Sequence, residues 1–256
     1  MMRELMSVFE SRAFERSLFF QAPDRSAPPS GAIDHQIAVD GAQLRVRVHA
    51  PERPRWMLCF VGNGEHAGTY DDLAGPLGRL AGGVAIAVAD HRGYGKSTGT
   101  PRFSALLDDA RHIVRALAGA RTADDLILFG RSLGSQAALH ALADAAPAAV
   151  VIDSGFSSLD AFIARRGLPP SSITPADRAR FDVLPRVRAF SGPLLGLHGE
   201  ADELIAPSDG RALVLASPHP RSRFVTFEGH GHNDLFSAPT YFSTLDAWLR
   251  EVLPPR

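Results

Sequence analysis

The chain holds one cysteine, Cys59, and one lysine, Lys96, in 256 residues. A single cysteine excludes a disulfide within the chain and fits a reducing, cytoplasmic compartment. Cys59 stands inside the apolar run Trp56-Met57-Leu58-Cys59-Phe60-Val61, where a small buried core residue is expected. No stretch approaches the ~20 consecutive apolar residues that a membrane span needs. Residues 1–20 also lack the form of a signal peptide, because Glu4, Glu10, Arg12, Glu15 and Arg16 interrupt any apolar core, so a soluble protein is expected. With a formal net charge of -1, there is no long-range electrostatic reason to expect nucleic acid as a partner. Internal repeats and low-complexity tracts are missing, and so are metal-ligand spacings: His230 and His232 flank Gly231 on a glycine loop, too close together to point to a metal.

What is present is enough apolar material, 45% of residues, for one α/β domain with a sizeable core. Residues 1–20 read as an amphipathic helix with Leu5, Phe9, Phe14 and Leu18 among charges of both signs. Three placements are open to it: packed on the domain's edge, against a partner, or in weak contact with a membrane surface. The mixed signs favour the first, since an interfacial helix is rich in lysine and arginine on its polar side. Residues 23–31, with three prolines, read as a linker, so an N-terminal helix and linker over 1–32 are expected to precede the main domain at 33–256. His35-Gln36-Ile37-Ala38-Val39, the Asp40-Gly41 turn and Leu44-Arg45-Val46-Arg47-Val48 then form a hairpin pattern. From Trp56 onward, wholly apolar runs at 56–61, 84–89, 125–129, 149–152, 193–197 and 223–227 alternate with helical spacings such as Leu106, Ala110, Ile113, Val114 and Leu117. Runs apolar on both faces imply a mostly parallel central sheet of about eight strands, covered by helices on both sides.

One of these runs ends in Gly130-Arg131-Ser132-Leu133-Gly134 and passes into an alanine-rich helix pattern. Strand, sharp turn and helix make a nucleophile elbow, with Ser132 at the tip and glycines where a side chain would collide with neighbouring backbone. In an open parallel sheet the chemistry gathers at the carboxyl ends of the strands. Those ends carry Gly62-Asn63-Gly64, Asp90-His91-Arg92-Gly93-Tyr94-Gly95-Lys96-Ser97, Asp153, His198-Gly199-Glu200-Ala201-Asp202, and His230-Gly231-His232-Asn233-Asp234. The glycines around Asn63 let amides approach a ligand, and the 90–97 loop reads as structural. Serine, then aspartate, then histidine follow successive strands, the chain order of a hydrolase triad.

On the motifs at 62–64, 90–97, 130–134, 198–207 and 231–234, the chain resembles, from about residue 33 to 253, the α/β-hydrolases, and among them the small serine hydrolases of the α/β-hydrolase domain-containing type. The resemblance implies the α/β-hydrolase fold with Ser132 as nucleophile, Asp202 as acid, His232 as base, and the amides of Asn63 and Leu133 as the oxyanion hole. It favours His232 over His230, and Asp202 over Asp153. It implies cleavage of a small-molecule ester, thioester or other acyl substrate through an acyl-enzyme, without metal or organic cofactor; peptidase and lysophospholipase activities, or a non-catalytic binding role, are the alternatives. Val61 stands where the family usually has histidine, so the hydrogen bonding of the first loop must differ. Substrate choice is expected in a short cap insertion over about 156–192, with one or two helices around Pro169, Pro170 and Pro175. Arg165, Arg166, Arg178, Arg180, Arg186 and Arg188 stand there against Asp160, Asp177 and Asp182, either as a solvated helix face or as an attractor of anions.

Overall fold

A computed structural model describes residues 7–118 and 123–255 of the chain; Leu5, part of the expected N-terminal helix, lies outside them. Eight strands form one sheet: β1 (Ala32–Val39), β2 (Ala42–His49), β3 (Trp56–Phe60), β4 (Ala85–Ala89), β5 (Leu126–Arg131), β6 (Ala149–Asp153), β7 (Leu194–Gly199) and β8 (Arg223–Phe227). Their spatial order is β1-β2-β4-β3-β5-β6-β7-β8. The β1–β2 and β2–β4 pairs are antiparallel, and every later pair is parallel. The helices are α1 (Arg12–Leu18), α2 (Ala74–Gly78), α3 (Phe103–Ala118), α4 (Gly134–Ala141), α5 (Leu159–Ala164), α6 (Pro175–Phe181), α7 (Leu184–Ala189), α8 (Pro207–Ala216) and α9 (Tyr241–Val252).

The wholly apolar runs have a direct physical consequence. Strand side chains alternate between faces, so β3 sends Leu58 and Phe60 into one core and Met57 and Cys59 into the other. The first core is closed by α3, α4 and the insertion through Leu106, Ala110, Leu139 and Phe162; the second is closed by Leu77 of α2 and by Leu245, Trp248 and Leu249 of α9. No helix among the described residues is long and apolar enough to cross a membrane.

The N-terminal residues are part of this packing. Phe9 and Phe14 are buried, and Phe9 lies 5.2 Å from the ring of Phe103 and 4.8 Å from that of Phe181. Helix α1 is short because Ser11 caps its start and Phe19 is already extended. The stretch after it runs along the domain: Gly95 N donates to Ala22 O, Asp24 N to Gly95 O, and Gln21 Nε2 to Gly93 O.

The insertion carries three α-helices and a 3-10 turn at Pro170–Ser172, more than the one or two helices expected. Short helices need local starts, and each has one. Ser158 caps α5, Thr174 and Asp177 form a capping box at α6, and Pro185 sits in the first turn of α7 after an extended Asp182.

Candidate active site

Ser132 sits one residue beyond β5 with φ +51, a left-handed conformation that costs a non-glycine residue free energy. The surroundings hold it there: Ser132 N donates to Asp153 O (2.8 Å) and Ser135 N donates to Ser132 O (3.0 Å). The two glycines of the elbow are needed for close approach. A Cβ on Gly134 would stand on the carbonyl of Phe60, and one on Gly130 would meet Gly134 O and Ala138 Cβ.

The loops after β7 and β8 bring Asp202 and His232 to this turn. His232 Nε2 lies 2.8 Å from Ser132 Oγ, and His232 Nδ1 lies 2.7 Å from Asp202 Oδ2. A carboxylate has no proton to give, so Nδ1 carries the hydrogen and Nε2 is left to accept from the serine hydroxyl. Asp202 Oδ1 accepts from the amides of Leu204 (2.9 Å) and Ile205 (2.8 Å). His198, which the sequence reading placed in a motif without a role, puts Nε2 2.9 Å from Ile205 O and 3.1 Å from Asp202 Oδ2. Burial pulls the Asp202 carboxyl up, but the hydrogen bonds from His198, His232 and Ile205 outweigh it and hold the group well below the usual carboxylate range. The signal for His198 was its spacing, four residues before Asp202 across a tight turn.

The two competitors go elsewhere. Asp153 is fully buried and accepts a hydrogen bond from Tyr241 Oη (2.7 Å), with Arg131 Nε 3.9 Å away. His230 turns Nδ1 to the carbonyl of Glu228 (2.9 Å).

The loop after β3 is fastened in its own way. Val61 is buried in the core, and its carbonyl accepts from His91 Nε2 (2.7 Å). Gly62 N donates to Glu65 Oε2 (2.6 Å), Glu65 pairs with Arg131, and Arg131 Nη2 donates to His232 O (2.8 Å). Glu65 and Arg131 thus tie the Asn63 loop, the elbow and the His232 loop together, which a five-residue motif match cannot reveal. The side chain of Asn63 is committed: Oδ1 accepts from Tyr94 Oη (2.7 Å) and Phe20 N (3.0 Å), and Nδ2 donates to Leu18 O (2.5 Å). The backbone amides of Asn63 and Leu133 make no hydrogen bond among the described residues.

Burial pushes the His91 imidazole down to about 4, against the hydrogen bond to Val61. The unfolded chain therefore binds a proton that the folded chain refuses between about pH 4 and 6.5, and stability rises with pH across that window. We expect the urea midpoint to fall on acidification from pH 7 to pH 5, and His91→Gln, which can still donate to Val61, to flatten that fall. An equal fall in both proteins would remove His91 from the account.

Ser132, His232, Asn63 and Leu133 line one pocket of about 380 Å³. Leu18 and Phe20 wall it from the N-terminal side, Phe156, Phe162, Arg165 and Arg166 from the insertion, and Leu204 and Ile205 from the Asp202 loop. A larger groove of about 590 Å³ between the β1–β2 turn and α3 holds charged residues such as Arg92 and Asp109, already paired at 2.7 Å. Among the described residues, no group of three or more histidine, cysteine or acidic side chains is placed to hold a metal.

A strained serine between strand and helix, met by an aspartate and a histidine from later strands of a parallel sheet, is the arrangement built on the α/β-hydrolase fold. The chain has the α/β-hydrolase fold. Residues 52–165 match the serine aminopeptidase S33 family. An uncharacterized protein of Mycobacterium tuberculosis is 32% identical over 186 residues, covering 71% of this chain and 63% of that protein. The α/β-hydrolase domain-containing protein 17C of Xenopus tropicalis is 30% identical over 171 residues, 64% of this chain and 52% of its own. The chain thus matches less than two thirds of the length of these relatives. An esterase of Pyrococcus furiosus shares the fold at 16% identity, with a TM-score of 0.70 over 92% of this chain and 99% of that one.

Proposed function

We propose that this chain is a serine hydrolase that cleaves a carboxylic ester or thioester through an acyl-enzyme. The observation that carries the reading is the unbroken hydrogen-bonded line from Ser132 through His232 to Asp202. A serine hydroxyl is a weak nucleophile, so His232 Nε2 takes its proton as Oγ attacks the acyl carbon. Asp202 keeps the proton of His232 on Nδ1 and stabilises the imidazolium that forms. The oxyanion is received by the amides of Asn63 and Leu133, each such donor contributing roughly 10²–10³ in turnover. His232 then returns the proton to the leaving alcohol or thiol, and water releases the acyl group along the same route.

The family match raises an aminopeptidase as the second reading. An aminopeptidase must recognise a substrate ammonium, which calls for a carboxylate near the scissile bond. Among the described residues the pocket lining contains three arginines and no aspartate or glutamate, which favours the ester or thioester reading. The deciding experiment is labelling with a fluorophosphonate probe. We expect the wild-type protein to label and Ser132→Ala to stay unlabelled; an unreactive wild type would leave only a binding role.

A further inference from the structure

The pocket beside Ser132 takes a formal charge from three arginines, and two of them are already matched. Arg131 pairs with Glu65, and Arg165 donates to Asp209 Oδ2 (3.0 Å). Arg166 has no acidic partner among the described residues. Its guanidinium lies 4.0 Å from the centroid of the Phe162 ring, and Phe162 stacks on Phe156 at 4.4 Å, so the cation caps an aromatic wall of the pocket. One donor, Nη1, is used on the carbonyl of Phe162 (2.7 Å); Nε is buried and makes no hydrogen bond. Nη2 makes no hydrogen bond to the described residues and stays available to a ligand.

That is an unfavourable place for a lone cation. Burial and the neighbouring Arg165 lower the Arg166 pKa to about 10, so it stays charged at neutral pH without a counterion. Packing of Arg166 on Phe162 explains the aliphatic stem and the stacking. It does not explain a guanidinium in a pocket without carboxylates.

We propose that Arg166 is the specificity residue of this pocket and receives a single negative charge carried by the substrate, so that the preferred substrate is an acyl ester or thioester bearing a carboxylate or a phosphodiester. The proposal rests on the acyl-hydrolase reading above. A single unmatched cation suits a monoanion, and the apolar walls made by Leu18, Phe20, Phe156, Phe162, Leu204 and Ile205 suit a short hydrocarbon spacer between the charge and the scissile bond. An ion-paired guanidinium also forms stronger hydrogen bonds than a neutral donor pair.

The test uses two matched pairs of substrates. Mono-4-nitrophenyl glutarate and 4-nitrophenyl pentanoate differ by a terminal carboxylate; lysophosphatidylglycerol and a monoacylglycerol of the same chain differ by a phosphodiester. We expect the anionic member of at least one pair to show kcat/KM roughly tenfold or more above its neutral partner, and the pair that shows it identifies the anion. Arg166→Gln should abolish the preference, and Arg166→Lys, which keeps charge and stem, should retain part of it. Calorimetric binding of the same four compounds to Ser132→Ala reads the charge preference without turnover, and Arg166→Gln in that background should remove it. A wild type that labels with fluorophosphonate but treats both pairs alike overturns this proposal and leaves the hydrolase reading standing. An unlabelled wild type whose Ser132→Ala form still binds an anion through Arg166 overturns the hydrolase reading alone. A preference unchanged in Arg166→Gln, with an unchanged melting temperature, assigns the charge recognition elsewhere and also overturns it.

Discussion

Replacing Ser132 or His232 with alanine is expected to lower turnover by roughly 10⁶, and the double variant is expected to be no slower than either single one. The two side chains are 2.8 Å apart and act as one unit, since the hydroxyl is nucleophilic only while Nε2 can take its proton. Once one is gone, the other has nothing left to do. What survives in all three variants is the contribution of the free amides at Asn63 and Leu133 and of substrate binding, roughly 10³ over water. The measurement is single-turnover acylation with a 4-nitrophenyl ester, and additive losses in the double variant would show that the residues act separately. Asp202→Asn should lose less, roughly 10⁴, for a reason visible in the loop. Oδ1 is held by two backbone amides, Leu204 and Ile205, so the carbonyl of an asparagine must occupy that position. Its NH₂ then faces His232 Nδ1 and forces the proton onto Nε2, the wrong tautomer for a base. Asp153→Asn keeps the backbone carbonyl that holds Ser132 N and should retain most turnover.

The legible parts of this chain are those set by short-range rules. Strands β3 to β7 are apolar on both faces, so their sequences state both that they are strands and that helices must cover them. Gly130 and Gly134 were readable because a strand and a helix flank them, and close approach then leaves no room for a Cβ. The order of Ser132, Asp202 and His232 followed from reading what stands at each strand end. The harder parts depend on contacts distant in sequence. The Asn63 side chain binds a carbonyl 45 residues upstream, so nothing local announces that Leu18 and Phe20 wall the pocket. Val61 appeared as a missing histidine, whereas the fastening is made by Glu65 in the same loop and by His91 and Arg131 on two other segments. The arginines of the insertion were readable only as a group, because which of them finds an acid is decided by packing: Arg178 reaches Asp160, Arg165 reaches Asp209, and Arg166 reaches none among the described residues.

The alternation in β2 illustrates the same limit and leads to the largest expected effect on stability. Leu44, Val46 and Val48 enter the core, as the pattern requires, yet Arg45 and Arg47 on the opposite face are fully buried as well. Arg45 Nη1 donates to Asp24 (2.6 Å) and Nη2 pairs with Asp90 (2.5 Å), while Arg47 binds Asp34 and Asp71, each at 2.8 Å. Burial raises the Asp90 carboxyl even against Arg45, so this anion depends on its partner to remain charged. Arg45→Met removes that partner, leaves Asp90 without a counterion in the interior and leaves Asp24 with Arg47 at 3.9 Å, which costs about 3–5 kcal/mol. In a domain of this size that corresponds to a fall in melting temperature of roughly 10 °C or more. Removing all three charges together, as Asp24→Asn, Arg45→Met and Asp90→Asn, should recover a large part of the loss, because a buried ion pair replaced whole is often close to neutral. Urea unfolding of the single and triple variants is the measurement, and a single variant within about 1 kcal/mol of wild type would show that these carboxylates take up protons at little cost. The cluster also bears on the site. Asp24 fixes the chain a few residues after Phe20, so loosening it should raise KM for apolar esters before it lowers kcat, with the triple variant separating the two by restoring stability without restoring the anchor.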